Sequence, residues 1–150
     1  MPHSLDFRLL NRPGSASAGA ITQGRTSVDF LIDGEGLLAR LVKADGGHAD
    51  FMGCFVHGFP EQNQRKLALL AGQAPPETDG GRVLLYVCPE CGDIGCGSYA
   101  AKVKVGAEVV EWSDFAYENG YEPARPLPGL GPFVFSLHEY KSVITRSSAA

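Results

Sequence analysis

The sequence lacks long hydrophobic runs and any excess of positive charge. No apolar stretch approaches the roughly 20 residues that a transmembrane helix needs, so we expect no membrane partner. Asp and Glu number 17 against 13 for Lys and Arg, and the net charge is −4. Because nucleic-acid binding needs basic surfaces that replace counterions, this acidic balance predicts no nucleic-acid partner.

A secretory signal is also missing at the start of the sequence. Residues 1–6 contain neither a positively charged segment nor an apolar one. We therefore expect a cytoplasmic protein. The cytoplasm is reducing, and clustered cysteines in such a compartment bind metal ions more often than they form disulfides.

Familiar catalytic motifs are absent too. The chain contains no Gly-x-Ser-x-Gly, no phosphate-binding Gly-Lys loop and no His-Glu-x-x-His. His48 and Asp50 lie close together in the sequence, but nothing nearby supplies a nucleophile, so we interpret them as polar loop residues. These absences favour a binding protein over an enzyme.

What the sequence does contain is a cluster of cysteines. Three of its four cysteines fall within residues 88–96, in the stretch Cys-Pro-Glu-Cys-Gly-Asp-Ile-Gly-Cys-Gly. Cys88 and Cys91 form a Cys-x-x-Cys pair. Pro89 fixes one φ angle of the turn between them, and Gly92 permits a positive φ just after it. Such a turn directs two thiolates at one ion, which is typical of a zinc knuckle.

Zinc takes four nitrogen or sulfur ligands in a tetrahedron, so two more ligands are needed. Cys96 supplies a third sulfur. Ala101 stands where a short CCHC knuckle would place the fourth ligand, and alanine cannot bind a metal. The fourth ligand is then expected from Cys54 or His57, which form a Cys-x-x-His. We predict a zinc site formed by Cys88, Cys91, Cys96 and Cys54, with His57 as the alternative ligand.

Other interpretations of the cysteines stay open. A Cys-x-x-His at 54–57 together with Cys88 and Cys91 also makes a closed set and leaves Cys96 out. A thiol-redox enzyme would use Cys88 and Cys91 as a dithiol. The glycines and β-prone residues that follow oppose the helix start that lowers the thiol pKa in thioredoxin-like sites. A metal-free interaction protein, of antidote or adaptor type, would keep the cysteines as inert thiols.

A second candidate surface lies at residues 117–122, in the stretch Tyr-Glu-Asn-Gly-Tyr-Glu. This segment combines aromatic and acidic residues, and exposed tyrosines are enriched in protein interfaces. We predict that Tyr117, Glu118 and Tyr121 contact an unidentified protein partner.

Hydrophobic patterning predicts one α+β domain over residues 1–150, with an antiparallel or mixed sheet of about five strands and two main helices packed on it. Alternating or continuous apolar residues predict strands at 5–9, 28–32, 83–87, 133–135 and, as a hairpin, 98–115. Helical spacing predicts helices over 60–71 and after a capping box at Ser136. It also predicts a short helix over 37–42, for which a strand that forms a hairpin with 28–32 is the alternative.

The hairpin and three irregular segments complete the prediction. A turn at Gly106-Ala107 sets Val103 opposite Val110 and Lys102 opposite Glu111. The single tryptophan, Trp112, is interpreted as a core residue. Irregular structure is expected in a mobile loop at 11–27, a proline-rich loop at 120–132 and a frayed tail at 147–150.

Residues 83–97, with the segments 112–119 and 131–140, resemble a family of small uncharacterised bacterial proteins that share the motif Cys-Pro-Glu-Cys-Gly-Asp-x-Gly-Cys-Gly. The resemblance covers about the C-terminal half of the chain and implies a standalone bacterial domain. The stretch Cys-Pro-Glu-Cys-Gly also resembles one half of a zinc ribbon or rubredoxin knuckle. The second Cys-x-x-Cys of that pattern does not occur here.

Overall fold

The computed structural model describes residues 2–17, 20–22, 24–90 and 97–150. The strands in these ranges are β1 (Leu5–Arg12), β2 (Ser15–Ser17), β3 (Ala20–Thr22), β4 (Arg25–Ile32), β5 (Glu35–Gly36), β6 (Met52–Gly53), β7 (Val83–Val87), β8 (Ser98–Val105), β9 (Val109–Glu118), β10 (Arg125–Pro126) and β11 (Phe133–Ser136). The helices are α1 (Leu37–Asp45), α2 (Pro60–Leu70) and α3 (Leu137–Ser148). None of these helices has the length and hydrophobicity that crossing a bilayer requires.

The strands form a main antiparallel sheet and two smaller ones, so the predicted α+β class is confirmed. The main sheet has six strands, one more than expected, in the order β10-β9-β8-β7-β6 with β11 also paired to β9. A three-stranded sheet has the order β1-β4-β5, and β2 pairs with β3. All five residues of β7 are buried, as the continuous apolar run predicted.

Residues 52–57 connect the main sheet to the three-stranded sheet. Their first part, β6, pairs with β7, and their second part pairs with β4. In that second part Phe55 accepts a hydrogen bond from Val28 N at 3.0 Å. Gly53 lies so close to Val28 that a Cβ at this position would overlap the Val28 carbonyl oxygen. Glycine therefore permits the close contact by which the two sheets meet.

The core lies between the two sheets and the helices, with Trp112 at its centre. Trp112 is fully buried and packs edge-to-face on Phe30 and Phe135, each with a ring separation of 5.2 Å. Its Nε1 donates to the Tyr140 hydroxyl at 3.3 Å, and that hydroxyl donates to Leu70 O at 2.6 Å. This chain of contacts ties α2 and α3 to the sheet and confirms the interpretation of Trp112 as a core residue.

The β8–β9 hairpin forms, but its predicted register is wrong by two residues. Val105 pairs with Val110, and Lys104, in place of Lys102, lies opposite Glu111. The reason is that the turn lies one residue later than predicted, at Ala107-Glu108, enclosed by a hydrogen bond from Gly106 N to Val109 O at 2.8 Å. A two-residue slip leaves the same side chains facing the core, so patterning alone does not distinguish the two registers.

The segment 11–27, predicted as a mobile loop, is largely extended where the structure describes it. The β1–β4 ladder continues to the pair of Arg12 with Arg25, and β2 pairs with β3 beyond it. The small and polar residues of this stretch suggested a loop, but paired backbone groups extend the hairpin. In the predicted proline-rich loop, β10 pairs with β9.

The capping box at Ser136 is correct in its first half. The Ser136 side chain accepts from Glu139 N at 3.2 Å, but the Glu139 carboxylate accepts from Leu5 N at 3.2 Å and so caps β1. The tail predicted to fray from residue 147 is still helical there. Helix α3 continues to Ser148, and Ser147 is buried.

Candidate functional site

The cysteine loop, residues 88–97, begins at the end of β7, which lies between β6 and β8 in the main sheet. Val87 pairs with Ser98 across the loop, and Ser98 pairs with Glu118 on the next strand. The end of β7, the start of β8 and the end of β9 therefore lie at the same end of the sheet. Cys88 is a free, half-buried thiol, followed by a buried Pro89. A rigid strand thus fixes the first residue of the predicted zinc knuckle.

The two remaining cysteines of the knuckle, Cys91 and Cys96, lie outside the described residues. Among the described residues, no three His, Cys, Asp or Glu side chains gather in a way that would hold a metal ion. The predicted set of Cys88, Cys91 and Cys96 therefore stays a prediction.

The predicted fourth ligand, Cys54, is not brought next to Cys88. Strands β6 and β7 are antiparallel, with Met52 opposite Val87 and Gly53 opposite Tyr86. Cys54 and Cys88 consequently lie at opposite ends of this short ladder, roughly 10 Å apart along the strand. Two sulfurs that each lie about 2.3 Å from one zinc ion must be much closer together than this.

The Cys54 thiol is also enclosed by protein. The residue is partly exposed, but its thiol is surrounded by protein. This burial raises the pKa of the Cys54 thiol to about 12. Without a bound metal Cys54 is therefore a neutral thiol at physiological pH, and a metal ion that bound it would have to displace its proton.

His57, the alternative ligand, is directed to the three-stranded sheet. Its backbone N–H donates to Thr26 O at 2.8 Å, and its exposed side chain lines a groove of about 750 Å³ with Arg25 and Phe59. The groove lies where β4 begins.

Arg12 anchors the start of the cysteine loop, and sequence reasoning missed it. The Arg12 guanidinium donates to Glu90 Oε1 at 2.8 Å and to both carboxylate oxygens of Asp50 at 3.1 and 3.2 Å. These bonds raise the pKa of Arg12. Arg12 fell within the segment predicted to be a loop, so no pattern placed it 78 residues away beside Glu90.

The far end of the cysteine loop touches the predicted partner surface. Gly97 has a φ of 99°, and a Cβ at this position would overlap the Tyr117 hydroxyl. Tyr117 is half-buried, and the Arg125 guanidinium lies 4.4 Å from its ring centre. The two functional candidates of the sequence, residues 88–97 and residues 117–122, are therefore neighbours at one end of the sheet.

Within that partner surface, the two tyrosines and the glutamate differ in accessibility. Tyr121 is 83% exposed, and the turn that carries it is held by Asn119 Oδ1, which accepts from Tyr121 N at 3.0 Å. Glu118 is only 8% exposed, contrary to its predicted place on an exposed surface. Its carboxylate accepts from Thr78 Oγ1 at 3.1 Å and pairs with Arg82 at 3.5 Å, because alternation along β9 directs it away from solvent.

No family model, no curated protein and no solved structure matches this chain. The resemblance to small bacterial proteins and to a zinc-ribbon knuckle therefore stays a prediction based on the residues quoted above.

An ion pair between a half-exposed arginine and a buried carboxylate supports the same end of the sheet. Arg125 donates to both carboxylate oxygens of Asp45 at 2.7 and 2.9 Å, and the Tyr99 hydroxyl donates to Asp45 Oδ2 at 3.0 Å. The Arg125 hydrogen bonds, with the Tyr99 bond, lower the pKa of Asp45. Burial, together with Asp45, raises the pKa of Tyr99 above its ordinary range. Asp45 thus joins α1 to β10, whose Arg125 covers the Tyr117 ring.

Proposed function

We propose that this protein is a binding domain whose 88–97 loop holds a structural zinc ion, and that the ion orders a protein-binding surface formed by Tyr117 and Tyr121. The zinc ligands in this proposal are Cys88, Cys91 and Cys96. The fourth position is taken by water or by a side chain of the partner, since Cys54 is separated from Cys88 along the β6–β7 ladder.

One observation carries the proposal: Gly97, the last residue of the loop, packs directly on Tyr117. A metal that fixes the loop also fixes the backbone at Gly97, and through it the ring of Tyr117. Tyr121 follows in the same turn and is almost fully exposed. Exposed tyrosines supply large contact area at low entropic cost, which favours a protein as the ligand of this surface.

The remaining features of the proposal follow from charge and redox chemistry. The acidic chain, with a net charge of −4, favours a protein partner over nucleic acid. Thiolate ligands must stay reduced, which places the protein in a reducing compartment such as the cytoplasm.

The metal content of the purified protein tests the zinc site. We expect close to one zinc per chain in protein prepared without added metal, measured by elemental analysis. The Cys88→Ser variant should lose the metal because it removes one of three sulfur ligands. The Cys54→Ser variant is the matched control and should keep it.

Two results would contradict the zinc proposal. Zinc retained in Cys88→Ser but lost in Cys54→Ser would assign the metal to another set of ligands. A metal-free protein whose Cys88–Cys91 pair is oxidised and reduced by a thiol reagent would favour the thiol-redox enzyme instead.

A further inference from the structure

A cleft of about 200 Å³ opens between α2 and the paired strands β6 and β7. It lies beside a small apolar cluster that is separate from the main core. The cluster consists of Met52, Val56, Leu84, Val87 and Ala100. Four of these side chains, all but Ala100, line the cleft, so its floor is hydrocarbon.

One wall of the cleft carries a buried cation. The Lys66 side chain is only 10% exposed. Its Nζ donates to Glu77 Oε1 and, at 2.8 Å, to Leu84 O. An ammonium group has three N–H donors, so one remains for an acceptor within the cleft.

The charge balance of the cleft favours an anion. Glu77 matches the charge of Lys66, and Cys54, which also lines the cleft, is neutral because its pKa is raised to about 12. Arg65 adds an unmatched positive charge at the mouth, since no carboxylate of the described residues lies within 4.0 Å of its guanidinium. The cleft therefore has one net positive charge in a chain whose net charge is −4.

We propose that this cleft binds a small monocarboxylate, with its hydrocarbon part on Met52 and Val56 and its carboxylate between Lys66 and Arg65. The volume of about 200 Å³ is below the roughly 300–1,000 Å³ of pockets for drug-sized ligands. A short fatty or aromatic acid suits this size. Charge-assisted hydrogen bonds to the carboxylate distinguish it from a neutral molecule of the same shape.

A nuclear magnetic resonance titration of the full chain with hexanoate tests the proposal. We expect saturable amide shifts at Gly53, Cys54 and Leu84, with a dissociation constant of about 1 mM for a ligand of this size. Hexan-1-ol is the neutral probe and hexylammonium is the cationic one. The alcohol should bind about tenfold more weakly, because it forms no charge-assisted bond, and the cation should produce no saturable shift.

Three variants locate the binding. Arg65→Gln removes the unmatched charge from an exposed position and should weaken hexanoate binding about tenfold. Arg146→Gln removes the same charge from the exposed face of α3 and should leave binding unchanged. Leu69→Trp should abolish binding by filling the cleft, and its amide spectrum reports whether the fold is kept.

Three outcomes would overturn the proposal. They are equal binding of hexanoate and hexan-1-ol, unchanged affinity in Arg65→Gln, and no saturable shift of the named amides at tenfold the expected dissociation constant.

Discussion

Asp45 shows how one buried carboxylate can support a surface that lies mostly in solvent. Its side chain is 4% exposed and binds Arg125, which in turn covers Tyr117. Asp45 and Arg125 are 80 residues apart, and neither belongs to a motif. At the scale of single residues, the partner surface therefore depends on a contact that the sequence does not indicate.

The depressed pKa of Asp45 predicts the pH dependence of its contribution to stability. A carboxyl group whose folded pKa lies below the unfolded value of 3.8 stabilises the fold above that value and loses this effect as pH falls through the folded pKa. Asp45→Asn should therefore lower the free energy of unfolding by about 1 kcal/mol at neutral pH, a modest value because Arg125 is half-exposed. Urea unfolding at a series of pH values measures this difference.

The difference between wild type and Asp45→Asn should shrink steadily below pH 4. Asp79→Asn is the control, since Asp79 is exposed and has no ion pair among the described residues, and it should show no such pH dependence. A constant difference between wild type and Asp45→Asn down to pH 2 would show that the carboxylate does not supply the stabilisation.

At the scale of elements, the segment 52–57 determines how the two sheets meet. It pairs with β7 at one end and with β4 at the other, and the crossing occurs at Gly53. The Gly53 N–H donates to Ser27 Oγ at 2.9 Å, so the contact with β4 is both close and hydrogen-bonded. This crossing also keeps Cys54 away from Cys88.

Gly53→Ala should be strongly destabilising. The added methyl would overlap the Val28 carbonyl, and backbone on both sides would have to shift, at a cost of about 3 kcal/mol or more. Gly58→Ala is the matched control: φ at Gly58 is 93°, but a Cβ there meets nothing within 4 Å. Only backbone strain of about 1 kcal/mol is expected at Gly58. Thermal unfolding that ranks Gly58→Ala as the worse variant would contradict this account of the crossing.

At the scale of the whole molecule, the sequence predicted most elements because their signals are local. The apolar run of β7, the alternation of β8 and β9, and the serine cap of α3 each report on neighbouring residues. Pairings between distant segments were not predictable. The predicted register of the β8–β9 hairpin was wrong by two residues, because the predicted and the observed register direct the same side chains to the core.

The candidate site was predictable in the same limited way. Its two segments, 88–97 and 117–122, have compositions that indicate function. Their adjacency depends on the order of the strands, and their supports, Arg12 and Arg125, act across long separations in the sequence. The prediction that Cys54 completes the zinc site rested on residue type and on elimination of Ala101. Neither reports on the strand ladder that separates Cys54 from Cys88.

The coupling between the cysteine loop and Tyr117 tests the central claim most directly. Amide spectra of the wild type would be compared before and after zinc removal by a chelator, with Cys88→Ser treated identically. The account predicts a shift of the Tyr117 and Arg125 amides in the wild type, no change at Val143 in the core, and no response in Cys88→Ser. Loss of zinc from the wild type with no change in the chemical shift of the Tyr117 amide would contradict this account.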